Sequence, residues 1–333
     1  MNTRSPRVTT LLLQRLARTL ERHLPAAVAG DDTGVHQARV TSRRLREAVP
    51  VLATGLKGSK AGKAERKIRR LTQALGTVRE LDVTLGLLDN LARSPQLSRT
   101  AVEDVRAHVI AERDSRRAEM LKRLDRVNME KLGRRLASVG AALDEAPDEP
   151  WRKALGAQLL KRSRRLAAAI EDAGHMYAPE GLHQVRIAAK KLRYGLELAA
   201  DSGTRQAAPH VRTIKRVQDM LGKLHDLQVL ETHVAAVQAE PHPGRTPSRA
   251  ALEELARNIE DQCRHLHGRY VASLPALREA TAAIRKTIVP QVAHTPRRRR
   301  PLKMSLASAG ETSRAAQTRR TARAAASTAT GGR

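Results

Sequence analysis

A basic segment headed by a histidine occurs twice in this chain. Residues 35–49 read VHQARVTSRRLREAV, and residues 182–196 read LHQVRIAAKKLRYGL. Arg43 and Arg44 of the first copy become Lys190 and Lys191 in the second, so the charge is kept while the side chain changes. These residue types favour chemistry with anions.

Helical spacing places the cations of each copy on one face. At about 100° per residue, three arginines fall within roughly 80° of His36, and Leu45 falls on the opposite side. The arginines are Arg39, Arg43 and Arg46, and the matching face of the second copy holds His183, Arg186, Lys190 and Arg193. Neighbours on such a face stand about 5–6 Å apart, and each guanidinium can bind phosphate oxygens bidentately. A solvated face is the alternative, but such a face normally mixes charges, whereas residues 39–46 contain no acid.

A second motif follows each basic segment. It reads LGTVRELDV at residues 75–83 and LGKLHDLQV at residues 221–229. Gly76 and Gly222 each cost about 1 kcal/mol relative to Ala within a helix, which indicates a close helix approach or a kink. Cations in and before this motif would extend the basic surface; they are Arg69, Arg70, Arg79, Lys215, Arg216 and His225. A structural hydrogen-bonding role is the alternative for Arg79 and His225, and Glu80 and Asp226 are expected to hold neighbouring arginines.

The composition limits the fold and the partners. Lys and Arg total 62 against 34 Asp and Glu, giving a formal charge of +28, which favours polyanionic partners. The chain has no Phe and is rich in the helix formers Ala, Leu and Arg, so it is predicted to be all-α. Cys263 is the single cysteine, which excludes an internal disulfide and a Cys-based metal site. No apolar stretch approaches the roughly 20 residues of a membrane span, so a cytoplasmic location without membrane contact is expected.

The two motifs also define the domains. An offset of 147 residues separates His36 from His183, and 146 separates Leu75 from Leu221, so the chain is predicted to contain an internal duplication. Each half has about four helical segments, as in a four-helix bundle. We therefore predict helical bundles over residues 5–145 and 150–290, joined by the segment DEAPDEP at 144–150, and a disordered basic tail over 291–333. One long helix is expected over 98–143, and Pro275 is expected to interrupt the last helical region.

This doubled arrangement resembles the CHAD family, the conserved histidine α-helical domains, over about residues 5–290. The resemblance rests on the repeated His-x-x-Arg-x-x-x-[Arg/Lys]-[Arg/Lys]-x-Arg pattern and on the Leu-Gly motif after each copy. It implies two four-helix bundles related by pseudo-twofold symmetry, with a basic cavity between them. It further implies binding of inorganic polyphosphate, often at polyphosphate granules.

The resemblance also implies which residues bind, and no cofactor or metal is expected. On matching positions, binding would be carried by His36, Arg39, Arg43, Arg44 and Arg46, and by His183, Arg186, Lys190, Lys191 and Arg193. Many members are fused to a triphosphate-tunnel domain, but this chain lacks its acidic strands, so triphosphatase activity is not carried over.

Two other functions compete with a non-enzymatic polyphosphate-binding role. The net charge fits a nucleic-acid-binding protein, with the basic tail as a nonspecific contact, but single-strand binding normally uses aromatic residues that this chain almost lacks. A histidine phosphotransfer enzyme is the other, with His36 or His183 as the phosphoryl acceptor. No Gly-rich phosphate loop or Mg²⁺-binding carboxylate group is recognisable in the sequence.

Overall fold

The described part of the chain consists mainly of α-helices. A computed structural model describes residues 7–57, 60–239 and 249–293. Its helices are α1 (Val8–Ala29), α2 (Asp32–Leu52), α3 (Ala61–Leu91), α4 (Arg99–Asp125), α5 (Met129–Glu145), α6 (Glu149–Ala173), α7 (Pro179–Asp201), α8 (Ala207–Ala239), α9 (Arg249–Ala283) and α10 (Val289–Ala293). A π-helical segment, Ile284–Ile288, joins α9 to α10. No strand occurs within these three ranges, and the all-α prediction is confirmed.

The helix carrying the first basic segment begins and ends at defined signals. The Asp31 side chain accepts a hydrogen bond from the Gly34 backbone N–H at 2.6 Å and caps α2. Gly30, just before it, has φ of 96°, a left-handed conformation that ends α1 and that glycine adopts without steric cost. The chain can therefore turn sharply from α1 into α2, so that the two helices pack side by side.

Both motif helices bury the apolar face that the sequence predicts. Leu45 and Leu52 of α2 are fully buried, as are Leu192 and Leu196 of α7. Burial of each such side chain stabilises the fold by about 1.5–3 kcal/mol. In the first half α2 lies against α1 and α3, and in the second half α7 lies against α6 and α8. Because the apolar face of each motif helix is buried in its own half, the opposite face, which carries the cations, is directed away from the core of that half.

The two halves are joined through α2. Helix α2 contacts both α6 and α7, and α8 contacts α3 and α4. Arg162 of α6 donates to the Glu47 carboxylate of α2 and, at 2.6 Å, to the Lys191 carbonyl of α7. The described helices share one hydrophobic cluster and fall in one unit, so their packing does not divide them at residues 145–150. The internal duplication and the predicted bundle boundaries stay predictions.

Three predicted boundaries differ from the structure. The helix expected over 98–143 is two helices, because Asn128 caps α5 by accepting from the Lys131 backbone N–H at 2.6 Å. Pro275 lies inside α9 and does not interrupt it. Residues 291–293 of the predicted tail belong to α10; the rest of that tail, including the Arg297–Arg300 run, lies outside the described residues. Among the described helices, none combines the length and apolarity needed to cross a membrane.

The Glu47–Arg162 ion pair is predicted to stabilise the junction between the halves. Both side chains are about 15% exposed, so Glu47→Met or Arg162→Met leaves one charge largely buried and unpaired. We expect each single substitution to lower the free energy of unfolding by about 3 kcal/mol, and the double substitution to lower it by less than the sum. Urea denaturation of the four proteins measures this coupling.

The exposed pair Glu130–Arg134 provides the control. Its side chains are 76% and 68% exposed, and Glu130→Ala should change the free energy of unfolding by less than about 1 kcal/mol. Equal effects of Glu130→Ala and Glu47→Met would contradict a structural role for the buried pair.

Candidate functional site

The basic face of α2 carries arginines that lack a protein partner at one nitrogen. Arg39 and Arg43 are half-buried, and the Nε of each is buried with no hydrogen-bond partner in the described part of the chain. Burial, together with the nearby Arg43, lowers the pKa of Arg39 to about 10. A buried donor without an acceptor costs about 1–3 kcal/mol. The Nε groups of Arg39 and Arg43 are therefore available to an acceptor that the described residues do not supply.

The basic face of α7 meets that of α2. Burial, and after it the positive charges of Arg43, Arg186 and Arg39, lower the pKa of Lys190 to about 7. Arg43 also lowers the pKa of Arg186, whose shift is caused chiefly by burial. Mutual effects of this kind require the charges to lie close together. The structure thus brings the two sequence-predicted rows, one from each half, into one cluster.

Helices α3 and α8 add the two predicted residues of the Leu-Gly motif. Arg79 of α3 lies close enough to His36 to lower its pKa, second only to burial. His225 of α8 packs its ring 5.0 Å from that of His183, centroid to centroid, and the pKa of His183 falls through burial and through His225. The cluster therefore receives cationic or ionisable groups from four helices, α2, α3, α7 and α8. We call it the basic cluster: His36, Arg39, Arg43, Arg46, Arg79, His183, Arg186, Lys190 and His225.

Two carboxylates accompany the basic cluster. Glu80 Oε1 lies 3.8 Å from Nε2 of His225, a residue of the other half. This contact is the largest cause of the lowered pKa of Glu80, to which Arg39 and Arg186 contribute. Burial instead raises the pKa of Asp226, against the opposing effect of Arg186. These two acids leave the surrounding cations in excess.

Two residues expected to bind have protein partners, and a third is exposed. Arg44 donates to Asp201 at 2.6 Å, and this bond joins α2 to the end of α7. Arg193 donates to Gln218 and Glu197, and its guanidinium lies 4.6 Å over the ring of Tyr194. The Lys191 side chain is exposed. Arg44 and Arg193 consequently have protein partners that Arg39 and Arg43 lack at Nε.

The predicted extension of the basic surface along α3 and α8 is only partly assembled. Arg69 pairs with Glu65 at 3.1 Å and Lys215 with Asp219 at 2.5 Å, each within its own helix. Arg70 lies on the side of α3 opposite Arg79, about 180° around the helix, and its neighbours there are Lys67, Lys131 and Arg135. Arg216 likewise lies about 180° around α8 from His225. Arg216 instead lines a cavity of about 410 Å³ between α8 and α9. Arg70 and Arg216 therefore do not join the basic cluster.

One of the two expected reasons for the motif glycines, a close helix approach, is wrong. A methyl group added at Gly76 or Gly222 would meet no neighbouring atom within 4 Å, although both positions lie inside continuous helices. A kink at these positions stays a prediction. On the helical wheel they lie about 40° from Glu80 and Asp226, so they leave open space on the face that carries these carboxylates.

One residue of the site was missed by sequence reasoning. Tyr194 is 8% exposed and lies near enough to Arg39 and Arg186 to affect the pKa of both. It occupies the second basic segment beside Arg193, where the first copy has Glu47. An aromatic residue within an otherwise basic and aliphatic segment was the available signal.

A comparison with known families matches this chain to a domain model. The model of the CHAD domain matches residues 11–235, which include both basic segments and both Leu-Gly motifs. The chain belongs to the CHAD family. The resemblance drawn from the sequence is confirmed, although the match ends before the predicted limit at residue 290.

Two curated proteins and one solved structure show distant similarity to this CHAD chain. Two uncharacterized proteins from two strains of Mycobacterium tuberculosis are each 26% identical over 275 residues, covering 76% of this chain and 49% of their own. The chain thus spans about half the length of the curated relatives it matches. The crystal structure of the CHAD domain from the plant Ricinus communis is 22% identical, with a TM-score of 0.55 over 83% of this chain and 91% of that chain. It shares the fold.

The low pKa of Lys190 predicts a pH dependence of stability. An unfolded lysine titrates near 10.4 and folded Lys190 at about 7, so the folded chain binds fewer protons between these values. The free energy of unfolding is therefore highest above about pH 10.5. It decreases as the pH falls, until Lys190 is protonated in the folded chain as well, below about pH 7. We expect Lys190→Met to remove the dependence, so that the variant gains stability over the wild type as pH is lowered from 10 to 7.

Urea denaturation at several pH values measures the difference in the free energy of unfolding between the wild type and Lys190→Met. The contributions of other titrating groups are common to both proteins and cancel in this difference. The exposed neighbour Lys191 supplies the control, since Lys191→Met should follow the wild type at every pH. Parallel curves for the wild type and Lys190→Met would show that Lys190 is not held in a depressed state.

Proposed function

We propose that this CHAD chain binds inorganic polyphosphate at the basic cluster, without catalysing its turnover. The coupling of Lys190 to Arg39, Arg43 and Arg46 of the other half is the observation that carries the proposal. It means that two rows of cations, from halves far apart in the sequence, converge on one space. A ligand with many closely spaced negative charges relieves the repulsion of both rows at once.

The unpartnered donors favour phosphate oxygens as the acceptors. Arg39 and Arg43 each present a buried Nε–H, and arginine binds phosphate in a fork geometry. Lys190, His36 and His183 can gain a proton when the ligand binds, because their pKa values are all lowered in the free protein. A polyanion raises these values and so is bound more tightly by the charged forms.

Polyphosphate is favoured over nucleic acid by the side chains that surround the cluster. Sequence-tolerant binding of single strands relies on stacked aromatic residues, each worth about 1–3 kcal/mol per base. Tyr194 is buried beneath Arg193, and its ring is therefore covered. A phosphate chain without bases needs no such platform, and its affinity arises from charge and counterion release. Under this proposal the protein acts in the cytoplasm and at polyphosphate granules.

Charge removal within the cluster is predicted to reduce affinity far more than equal charge removal outside it. Arg39→Ala/Arg186→Ala removes one arginine from each row; charge-assisted bonds are worth about 1.5–3 kcal/mol each, so we expect affinity for long-chain polyphosphate to fall about 100-fold or more. The double variant Arg70→Ala/Arg216→Ala removes the same charge from the opposite faces of α3 and α8, and it should lose less than about threefold. Isothermal titration calorimetry at fixed salt gives both values.

Competition with single-stranded DNA of equal charge separates the two ligand classes. Polyphosphate should displace DNA at a much lower concentration of negative charge, and the log–log salt slope should fall by about 1–2 in the Arg39/Arg186 variant. Equal competition by DNA, with similar losses in both double variants, would mean that net charge alone governs binding. A labelled phosphoryl donor tests the phosphotransfer alternative: label retained on the wild type and lost in His36→Gln or His183→Gln would establish an enzyme.

Binding is predicted to take up protons. The pKa of Lys190 in the free protein is about 7, and burial lowers the pKa values of His36 and His183. A bound polyanion therefore charges these groups as it raises each pKa. Affinity should therefore increase as pH falls from about 8 to 6. Lys190→Arg keeps a permanent charge, so we expect it to bind more tightly than wild type at pH 8 and to take up fewer protons.

Calorimetry in buffers of different ionisation enthalpy counts the protons taken up. Lys223, an exposed lysine of α8 outside the cluster, gives the control substitution Lys223→Arg, which should match the wild type. Affinity independent of pH, with no proton uptake, would remove the titrating role of Lys190 while leaving the Arg39/Arg186 result unaffected.

A further inference from the structure

A second cluster of ionisable side chains forms where α4 packs against α8. His108 and Glu112 come from α4 and His233 comes from α8; one nitrogen or oxygen atom of each lies within 4.8 Å of the other two. All three residues are partly buried. None of them belongs to the basic cluster or to the two repeated motifs.

The helices aim these three side chains at a common point. His108 and Glu112 are four residues apart, so they stand one turn apart on the same face of α4. His233 Nδ1 lies 3.8 Å from Glu112 Oε2, and the His233 ring lies 5.8 Å from that of His108, nearly edge to face at 61°. The His233 side chain is only 11% exposed. An imidazole held at this depth beside a carboxylate and a second imidazole is an unusual arrangement for a solvated surface.

We propose that His108, Glu112 and His233 bind a divalent transition-metal ion, with Zn²⁺ as the preferred occupant. Two imidazole nitrogens and one carboxylate oxygen form a donor set that suits Zn²⁺, Co²⁺, Ni²⁺ and Cu²⁺, and suits Mg²⁺ and Ca²⁺ poorly. Three protein ligands leave one tetrahedral position for water. The present separations are somewhat longer than those between ligands of a bound ion, so binding draws the three side chains together.

The surroundings of Glu112 support a role as a ligand. Arg116 Nε and Nη2 lie 3.4 and 3.5 Å from Oε1, which leaves Oε2 facing His233. Such an outer contact orients a ligating carboxylate. Arg116 also has Glu119 within 3.9 Å, so it has a second carboxylate nearby.

The proposed ion would connect the two halves of the fold. Helix α4 belongs to the first predicted half and α8 to the second, and the ligands come from both. A metal bound by the folded chain stabilises it, whereas the unfolded chain holds these residues far apart. The expected effect is structural, and it is independent of the polyphosphate proposal because the two sites share no residue.

Zinc titration of the tag-free full chain, in the absence of polyphosphate, tests the proposal. After removal of metal with a chelator, we expect one Zn²⁺ per chain by competition with a chromophoric chelator, and a higher thermal midpoint with Zn²⁺ than without. His233→Gln and Glu112→Gln should each weaken binding by at least about tenfold, the loss seen even for outer contacts of a metal site. His265→Ala, on an exposed part of α9, removes a histidine elsewhere and should leave the affinity unchanged. Millimolar Mg²⁺ should not compete.

X-ray absorption of the zinc-loaded protein adds a readout of the ligands themselves. The spectrum should show two imidazoles in the wild type and one in His233→Gln. If His233→Gln fails to fold without metal, as circular dichroism would reveal, Glu112→Gln replaces a carboxylate that is 36% exposed and keeps the test valid. Zinc binding that is unchanged in Glu112→Gln and that shows no imidazole ligand would overturn the proposal.

Discussion

Repulsion among buried cations is the constraint around which this fold is built. Two unit charges at the 5–6 Å spacing of helical neighbours repel by about 3 kcal/mol at an effective dielectric constant of 20. The basic cluster contains several such pairs. Burial is the largest cause of the lowered pKa values of Lys190, Arg39 and Arg186, and repulsion from neighbouring arginines adds to it. The buried leucines on the opposite faces of α2 and α7 must offset this repulsion, and each contributes only about 1.5–3 kcal/mol. The apolar packing of both halves is therefore a condition for holding the cluster together.

This constraint divides the cations of the motif helices into two groups. Arg44 and Arg193 have carboxylate partners, so their charge is neutralised within the protein. Arg44 thereby joins α2 to α7, and Arg193 joins α7 to α8 by donating to Gln218. Arg39 and Arg43 retain unpartnered Nε groups in the described structure. The paired arginines stabilise the packing between helices, and Arg39 and Arg43 retain a free Nε–H donor for a ligand. One basic sequence segment thus supplies both the frame and the candidate site.

The sequence predicted the faces of the motif helices well and the individual partners poorly. The 3.6-residue period fixes which side of α2 is apolar, so Leu45 and Leu52 could be placed in the core without a structure. The same period could have excluded Arg70 and Arg216, which lie opposite Arg79 and His225 on their helices. The partner of Arg44, in contrast, is Asp201 at the far end of α7, and only tertiary packing brings them together. The boundary expected at Pro275 failed for a local reason: this proline removes one backbone donor, and α9 continues through it.

The cluster of His108, Glu112 and His233 shows where sequence reasoning stops. A histidine and a glutamate four residues apart on a charged helix are common, and neither belongs to a repeated motif. Their significance depends on His233, which arrives from the second half because α8 crosses both α3 and α4. Helix α8 presents His225 to the basic cluster and, two turns later, His233 to α4.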